Sequence, residues 1–78
     1  MARLPLDLIR TFAVAGQTGS FAAAAERLHV TPSAISHQIR ALESQLGTKL
    51  FDRKGRSVRL NASGASFLKS IEPALSLI

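Results

Sequence analysis

The chain has 78 residues, no cysteine, and ten Lys and Arg against five Asp and Glu, for a formal net charge of +5. That length holds one small core and not two domains, and the absence of thiols excludes disulfides and thiolate metal sites, which fits a reducing compartment. A core of this size rarely supplies more than roughly 3 to 5 kcal/mol, so a partner subunit is the expected source of further stability.

The apolar 46% comes in short runs, none long enough to cross a bilayer. The opening MARLPLDLIR lacks the long apolar stretch and small-residue cleavage site of a secretory signal. A soluble, cytoplasmic protein with no membrane partner is expected. The positive charge is concentrated, with five basic residues and one acid, Asp52, between Lys49 and Arg59. Such a stretch suits a polyanion, although a solvated basic loop has the same composition.

Leu6, Ile9, Phe12, Ala13 and Gly16 recur at three- and four-residue spacing, which predicts a first helix over about 6–18 with that face buried. Thr18-Gly19-Ser20 ends it. Ser20 is a suitable N-cap for a short second helix whose inner face is Phe21, Ala24, Ala25 and Leu28. The alanines from Ala22 to Ala25 combine high helix propensity with little bulk, so another helix can cross closely. That crossing belongs to any compact helical domain or, more specifically, to a helix-turn-helix. His29 and Val30 lead to Thr31-Pro32, a strong helix start, because the hydroxyl caps free amides and proline at N1 has no amide to leave unpaired. The third helix is predicted to run to about Leu46, with Gly47 as its left-handed C-cap. Two helices separated by a three-residue turn have the spacing of the helix-turn-helix motif.

On the third helix Ile35, Ile39, Leu42 and Leu46 form an apolar stripe, and Ser33, Ser36, His37 and Arg40 face the other way. A helix N-terminus with short side chains can enter the major groove end-first while its free amides attract phosphate. Arg pairs with guanine O6 and N7, Ser serves as donor or acceptor, and the Ala34 methyl can meet a thymine methyl. Taken singly, each of these residues favours an ordinary solvated face. Leu50 and Phe51 are expected to close the core. Asp52-Arg53-Lys54 and Ser57-Val58-Arg59-Leu60 flank Gly55 as a hairpin, with glycine supplying a positive φ. Arg53, Lys54, Arg56 and Arg59 then direct cations at one neighbourhood, suited to phosphate or the minor groove.

Asn61 is a good N-cap for a fourth helix. Gly64, Leu68, Ile71, Leu75 and Ile78 lie four, three, four and three apart, a 3.5-residue seam on which two such helices would pair. The alternative is docking on the helix's own domain. Pro73 inside this stretch predicts a kink or a break, since it removes the bond to Lys69. The pattern stops at Ile78 in mid-repeat, so a fragment of a longer protein is expected.

The run FAAAAERLHVTPSAISHQIR, followed by ALESQLGTKLFDR and VRLNASG, resembles the N-terminal domain of LysR-type transcriptional regulators over nearly the whole chain. Ser33-Ala34-Ile35-Ser36, Ala41-Leu42-Glu43, Leu46-Gly47, Leu50-Phe51 and Arg53 carry the likeness. The stretch Ser36-His37-Gln38-Ile39 is similar to the glycine-cleavage-activator branch. Asn61 and Ser63-Gly64 replace the family's usual threonine and Ala-Gly but keep the cap and the glycine.

The resemblance implies a mainly α fold, a winged helix-turn-helix with a three-helix core and a small β-hairpin wing, followed by a long C-terminal linker or dimerisation helix. The corresponding division is 1–60 (helix-turn-helix about 21–40, wing about 50–60) and 61–78. It also implies homodimers joined through the fourth helix, tetramers in the full-length protein, and binding of double-stranded DNA at an interrupted inverted repeat. A small-molecule coinducer would act through an effector domain absent from this sequence. The candidate DNA contacts are Ser20, Thr31, Pro32, Ser33, Ala34, Ser36, His37, Gln38 and Arg40, with Arg53, Lys54, Arg56 and Arg59 on the wing. The candidate dimer contacts are Leu68, Ile71, Leu75 and Ile78. No cofactor, metal site or catalytic residue is expected, because the histidines flank the turn and the acids lack paired or ligand spacing. Two rival readings are an apolar fourth helix docking a protein or membrane, against which its one cation, Lys69, counts, and a nonspecific architectural DNA binder.

Overall fold

The computed structural model describes residues 6–54 and 57–75. Helices α1 (Leu6–Thr18), α2 (Phe21–Leu28) and α3 (Pro32–Leu46) are followed by the antiparallel strands β1 (Phe51–Lys54) and β2 (Ser57–Leu60), then by α4 (Ala62–Leu75). The result is a mainly helical winged helix-turn-helix whose last helix lies against α1. Gly55, Arg56, Ile78 and the side chain of Lys54 fall outside the described residues. Among the described residues no helix is long and apolar enough to cross a membrane.

Local chemistry sets the helix ends. The Ser20 Oγ accepts from the Ala23 amide at 3.1 Å, and the Thr31 hydroxyl accepts from the Ala34 amide at the same distance, just ahead of Pro32. Helix α3 ends at Gly47, φ 72°, whose N–H donates to the Glu43 carbonyl at 2.9 Å. Helix α2 closes on a residue that composition does not flag. His29 takes the left-handed conformation, φ 58° and ψ 44°, and the Val30 amide reaches back to the Ala25 carbonyl at 3.0 Å. Glycine is the usual residue at such a position, since a β-carbon there is crowded.

Phe12, Ile35, Ile39, Leu42 and Leu50 are the largest fully buried side chains, with Ala15, Ala24 and Ala25 at the helix crossings. The small residues let the helices approach, and the apolar stripe of α3 fills the space between α1 and α2. The Phe12 ring meets Phe51 edge-on at 5.6 Å and Phe67 at 5.3 Å, which joins wing and α4 to the same core. The buried arc of α1 is wider than one stripe. Thr11 and Ala15 are buried while Leu6 is 47% exposed, contrary to the spacing-based expectation. The reason is that α1 is covered by α2 and α3 and also by α4.

Asn61 joins three parts of the fold. Its Oδ1 accepts from the Gly64 amide at 2.8 Å, its Nδ2 donates to the Lys49 carbonyl at 2.9 Å, and its backbone N–H donates to the Leu50 carbonyl at 3.0 Å. Gly64 lies against that same backbone, where a β-carbon would stand 2.0 Å from the Leu50 carbonyl oxygen. Phe67, Leu68 and Ile71 pack on the core of their own domain. Much of the seam expected to be free for pairing is therefore used within the chain. Helix α4 also runs through Pro73 to Leu75, so the proline leaves the Lys69 carbonyl without its amide donor but does not end the helix.

Candidate nucleic-acid interface

Burying Ile35, Ile39 and Leu42 rotates Ser33, His37 and Arg40 of α3 into solvent, with Ser36 half-buried beside them. Thr31 and Pro32 are exposed at the helix start, and Ala34 is half-buried behind the Thr31 cap. These residues form one polar surface at the N-terminal end of α3. Two candidates stand apart from it. Ser20 is half-buried at the start of α2, its Oγ engaged by the Ala23 amide and its carbonyl by the Thr18 hydroxyl at 3.0 Å. Gln38 is half-buried on the flank of α3 toward α1, and its Oε1 accepts a hydrogen bond from the buried Thr11 hydroxyl.

The strand register divides the wing's cations. Phe51 pairs with Leu60, Asp52 with Arg59, Arg53 with Val58 and Lys54 with Ser57. Alternation along a strand puts Arg53 on the face of Phe51, whereas Arg59 lies on the opposite face beside Asp52. Arg53 and Arg59 therefore lie on opposite faces of the hairpin. The Arg53 guanidinium carbon sits 5.5 Å over the Phe21 ring, and that ring meets Phe51 edge-on at 5.4 Å. A stack thus runs from the core through α2 to the wing arginine and holds it toward α3.

Between the C-terminal end of α3 and β1 lies a groove of about 750 Å³ lined by Arg40, Ser44, Lys49 and Arg53, with Glu43 and Asp52 among the other lining residues. Glu43 is a strut here, its carboxylate accepting from the Leu50 amide at 2.8 Å. Lys49 and Ser44 were not singled out from the sequence. Lys49 was visible as the first residue of the basic run, but its proximity to Arg40 depends on the turn after Gly47. Among the described residues no group of three or more His, Asp or Glu is placed to hold a metal ion.

On α4, Gly64 is buried and Leu68, Ile71 and Leu75 are half-buried. A second groove of about 550 Å³ runs along its flank, lined by Leu46, Leu50, Phe67, Ser66 and Ser70 among others.

Comparison with known proteins places this arrangement. The family model for bacterial regulatory helix-turn-helix proteins of the lysR family matches residues 6–65. The chain is 47% identical over 72 residues to the HTH-type transcriptional regulator PerR of Escherichia coli K12, covering 92% of this chain and 24% of that one. It is 46% identical over 72 residues to the glycine cleavage system transcriptional activator of the same organism, with the same coverage of each. It therefore spans about a quarter of the length of these regulators. Among solved structures it is similar to the CbnR DBD in a crystal structure with DNA, with a TM-score of 0.88, 36% identity, and coverage of 95% of this chain and 85% of the other.

Proposed function

The chain belongs to the LysR family of bacterial regulatory helix-turn-helix proteins, and on that premise we propose that it binds double-stranded DNA sequence-specifically as a regulator's DNA-binding domain. The observation that carries the reading is one continuous surface. The exposed Ser33, His37 and Arg40 of α3 lead into a groove whose walls bear Lys49 and the Phe21-stacked Arg53. Under this proposal the N-terminal end of α3 enters the major groove and its polar side chains read base edges. Arg53 and Lys49 hold the sugar–phosphate backbone, and Arg59, Lys54 and Arg56 add charge from the rest of the wing. Thr31, Pro32, Ala34 and Ser36 shape the approach. Ser20 acts through its cap on α2.

The division into a head of residues 1–60 and a linker helix from 61 belongs to the same proposal, as does pairing of two copies through α4. Because Leu68 and Ile71 serve their own core, the pairing surface consists of what they and Leu75 leave exposed, together with the Phe67 groove. A dimer explains binding to an interrupted inverted repeat, since half-site spacing mirrors the separation of two heads. Tetramers, a coinducer-binding domain and a cytoplasmic location follow for the complete regulator. The role is one of binding and not catalysis, in keeping with relatives that are transcriptional regulators.

Selection from a random-sequence duplex pool tests the reading. A consensus of two related half-sites, bound about a thousandfold or more tighter than scrambled duplex, is expected. Recovery of a pool with no consensus would leave a nonspecific binder.

A further inference from the structure

Helix α3 is held to α1 and α2 by Ile35, Ile39 and Leu42, facing small residues such as Ala15, Ala24 and Ala25. Apolar contacts are non-directional. They fix how closely α3 sits and which face it buries, and a hydrogen bond adds a directional restraint on roll about its axis. A reading surface is sensitive to that roll. Side-chain tips about 5 to 6 Å from the axis move by roughly 1 Å for a roll of ~10°, beyond the ~0.5 Å within which a functional constellation must be held.

Among the described residues one side-chain hydrogen bond spans α1 and α3. Thr11 is the buried polar one among the described residues, 5% exposed, and its hydroxyl donates to the Oε1 of Gln38. Gln38 directly follows His37 and lies two residues before Arg40. We infer that Thr11 and Gln38 form a clamp that fixes the roll of α3, so that Thr11, which lies inside the domain, is a positioning residue for sequence discrimination. Gln38 serves from within the fold and not as a base reader. Burial makes the contact matter in both directions, since a hydroxyl shut away from water loses its partner if α3 turns. This inference rests on the DNA-reading proposal above only for its consequence and not for the clamp itself.

The test has two arms. In the free 78-residue chain, residual dipolar couplings report the orientation of α3 against α1. Thr11→Val, which keeps shape and removes the donor, is expected to shift them, and Thr11→Ser, which restores the hydroxyl, to return them toward the wild-type values. In the second arm, binding is measured to a duplex selected by the wild-type chain and to a scrambled duplex of equal length. Thr11→Val is expected to lower the ratio of the two affinities on the order of fivefold, the worth of about one net hydrogen bond. Scrambled binding should stay within about twofold, because phosphate contacts are forgiving of roll, and Gln38→Leu should add nothing in the Thr11→Val background. Unchanged couplings in Thr11→Val overturn the clamp whether or not the chain proves sequence-specific. Shifted couplings with an unchanged affinity ratio overturn the role in discrimination.

Discussion

Replacing Gly64 by alanine tests how α4 is seated. The added β-carbon would stand 2.0 Å from the Leu50 carbonyl oxygen and 3.0 Å from its carbonyl carbon. Both belong to backbone, held by the Glu43 carboxylate on the amide side and by Asn61 on the carbonyl side. Relief requires α4 to retreat by roughly 1 Å, an overpacking change that costs about 1 to 3 kcal/mol. It also strains the two Asn61 bonds to Lys49 and Leu50, each worth about 1 kcal/mol. Alanine's better helix propensity returns only about 1 kcal/mol. The expected net loss is about 2 to 3 kcal/mol, or a fall of roughly 10 to 20 °C in Tm.

Gly16→Ala is the control. Its β-carbon would meet only the ends of flexible side chains, Leu68 Cδ2 at 3.1 Å and Leu60 Cδ1 at 3.4 Å, so stability should stay within about 1 kcal/mol of the wild type. Urea denaturation followed by circular dichroism reads both variants. A Gly64→Ala chain as stable as the wild type would refute the close seating of α4 on the loop before β1.

Four further outcomes follow from particular residues. His29→Gly removes a β-carbon from a left-handed position and should raise stability by up to about 1 kcal/mol in urea denaturation, once glycine's extra unfolded-state entropy is subtracted; a loss would mean that the His29 side chain contributes more than the backbone strain costs. Arg53→Ala should reduce the slope of log affinity against log salt by about one unit, and Arg59→Ala, opposite Asp52 on the other strand face, by less; equal changes would contradict the division of the wing's cations. Leu68→Lys places a charge against Gly16 and the core and should lower the stability of the monomer by about 2 kcal/mol or more. Ser66→Arg, on an exposed flank of α4, should weaken a dimer in sedimentation without shifting the urea midpoint, and an unaffected dimer would move the pairing surface elsewhere.

Helix ends were legible in the sequence because they are set by local chemistry. As caps, Ser20, Thr31-Pro32, Gly47 and Asn61 each act within a few residues of their own position, and each does so in the structure. What depends on more than one neighbour was harder to read. A single periodic stripe described α3, which is covered on one side, but not α1, which is covered on several, so Thr11 and Leu6 exchanged their expected environments. The 3.5-residue seam of α4 fits docking on its own domain as well as pairing, because spacing records only that a face is apolar. Gln38 stands among the candidate DNA contacts that accompany the family resemblance, although its place on the helix puts it at the boundary toward α1. The groove containing Lys49 required the turn after Gly47, a feature of three-dimensional path and not of composition.

The central claim is that α3 reads bases while the wing holds backbone. It is tested most directly by titrating the wild-type chain and Arg40→Ala, at one salt concentration, with a selected duplex and with a scrambled one. Loss of a base contact should cost about 1 to 3 kcal/mol on the selected duplex, roughly a 5- to 150-fold weakening, with a change of about threefold or less on the scrambled duplex. Equal weakening on both would contradict the claim and make Arg40 one more backbone contact.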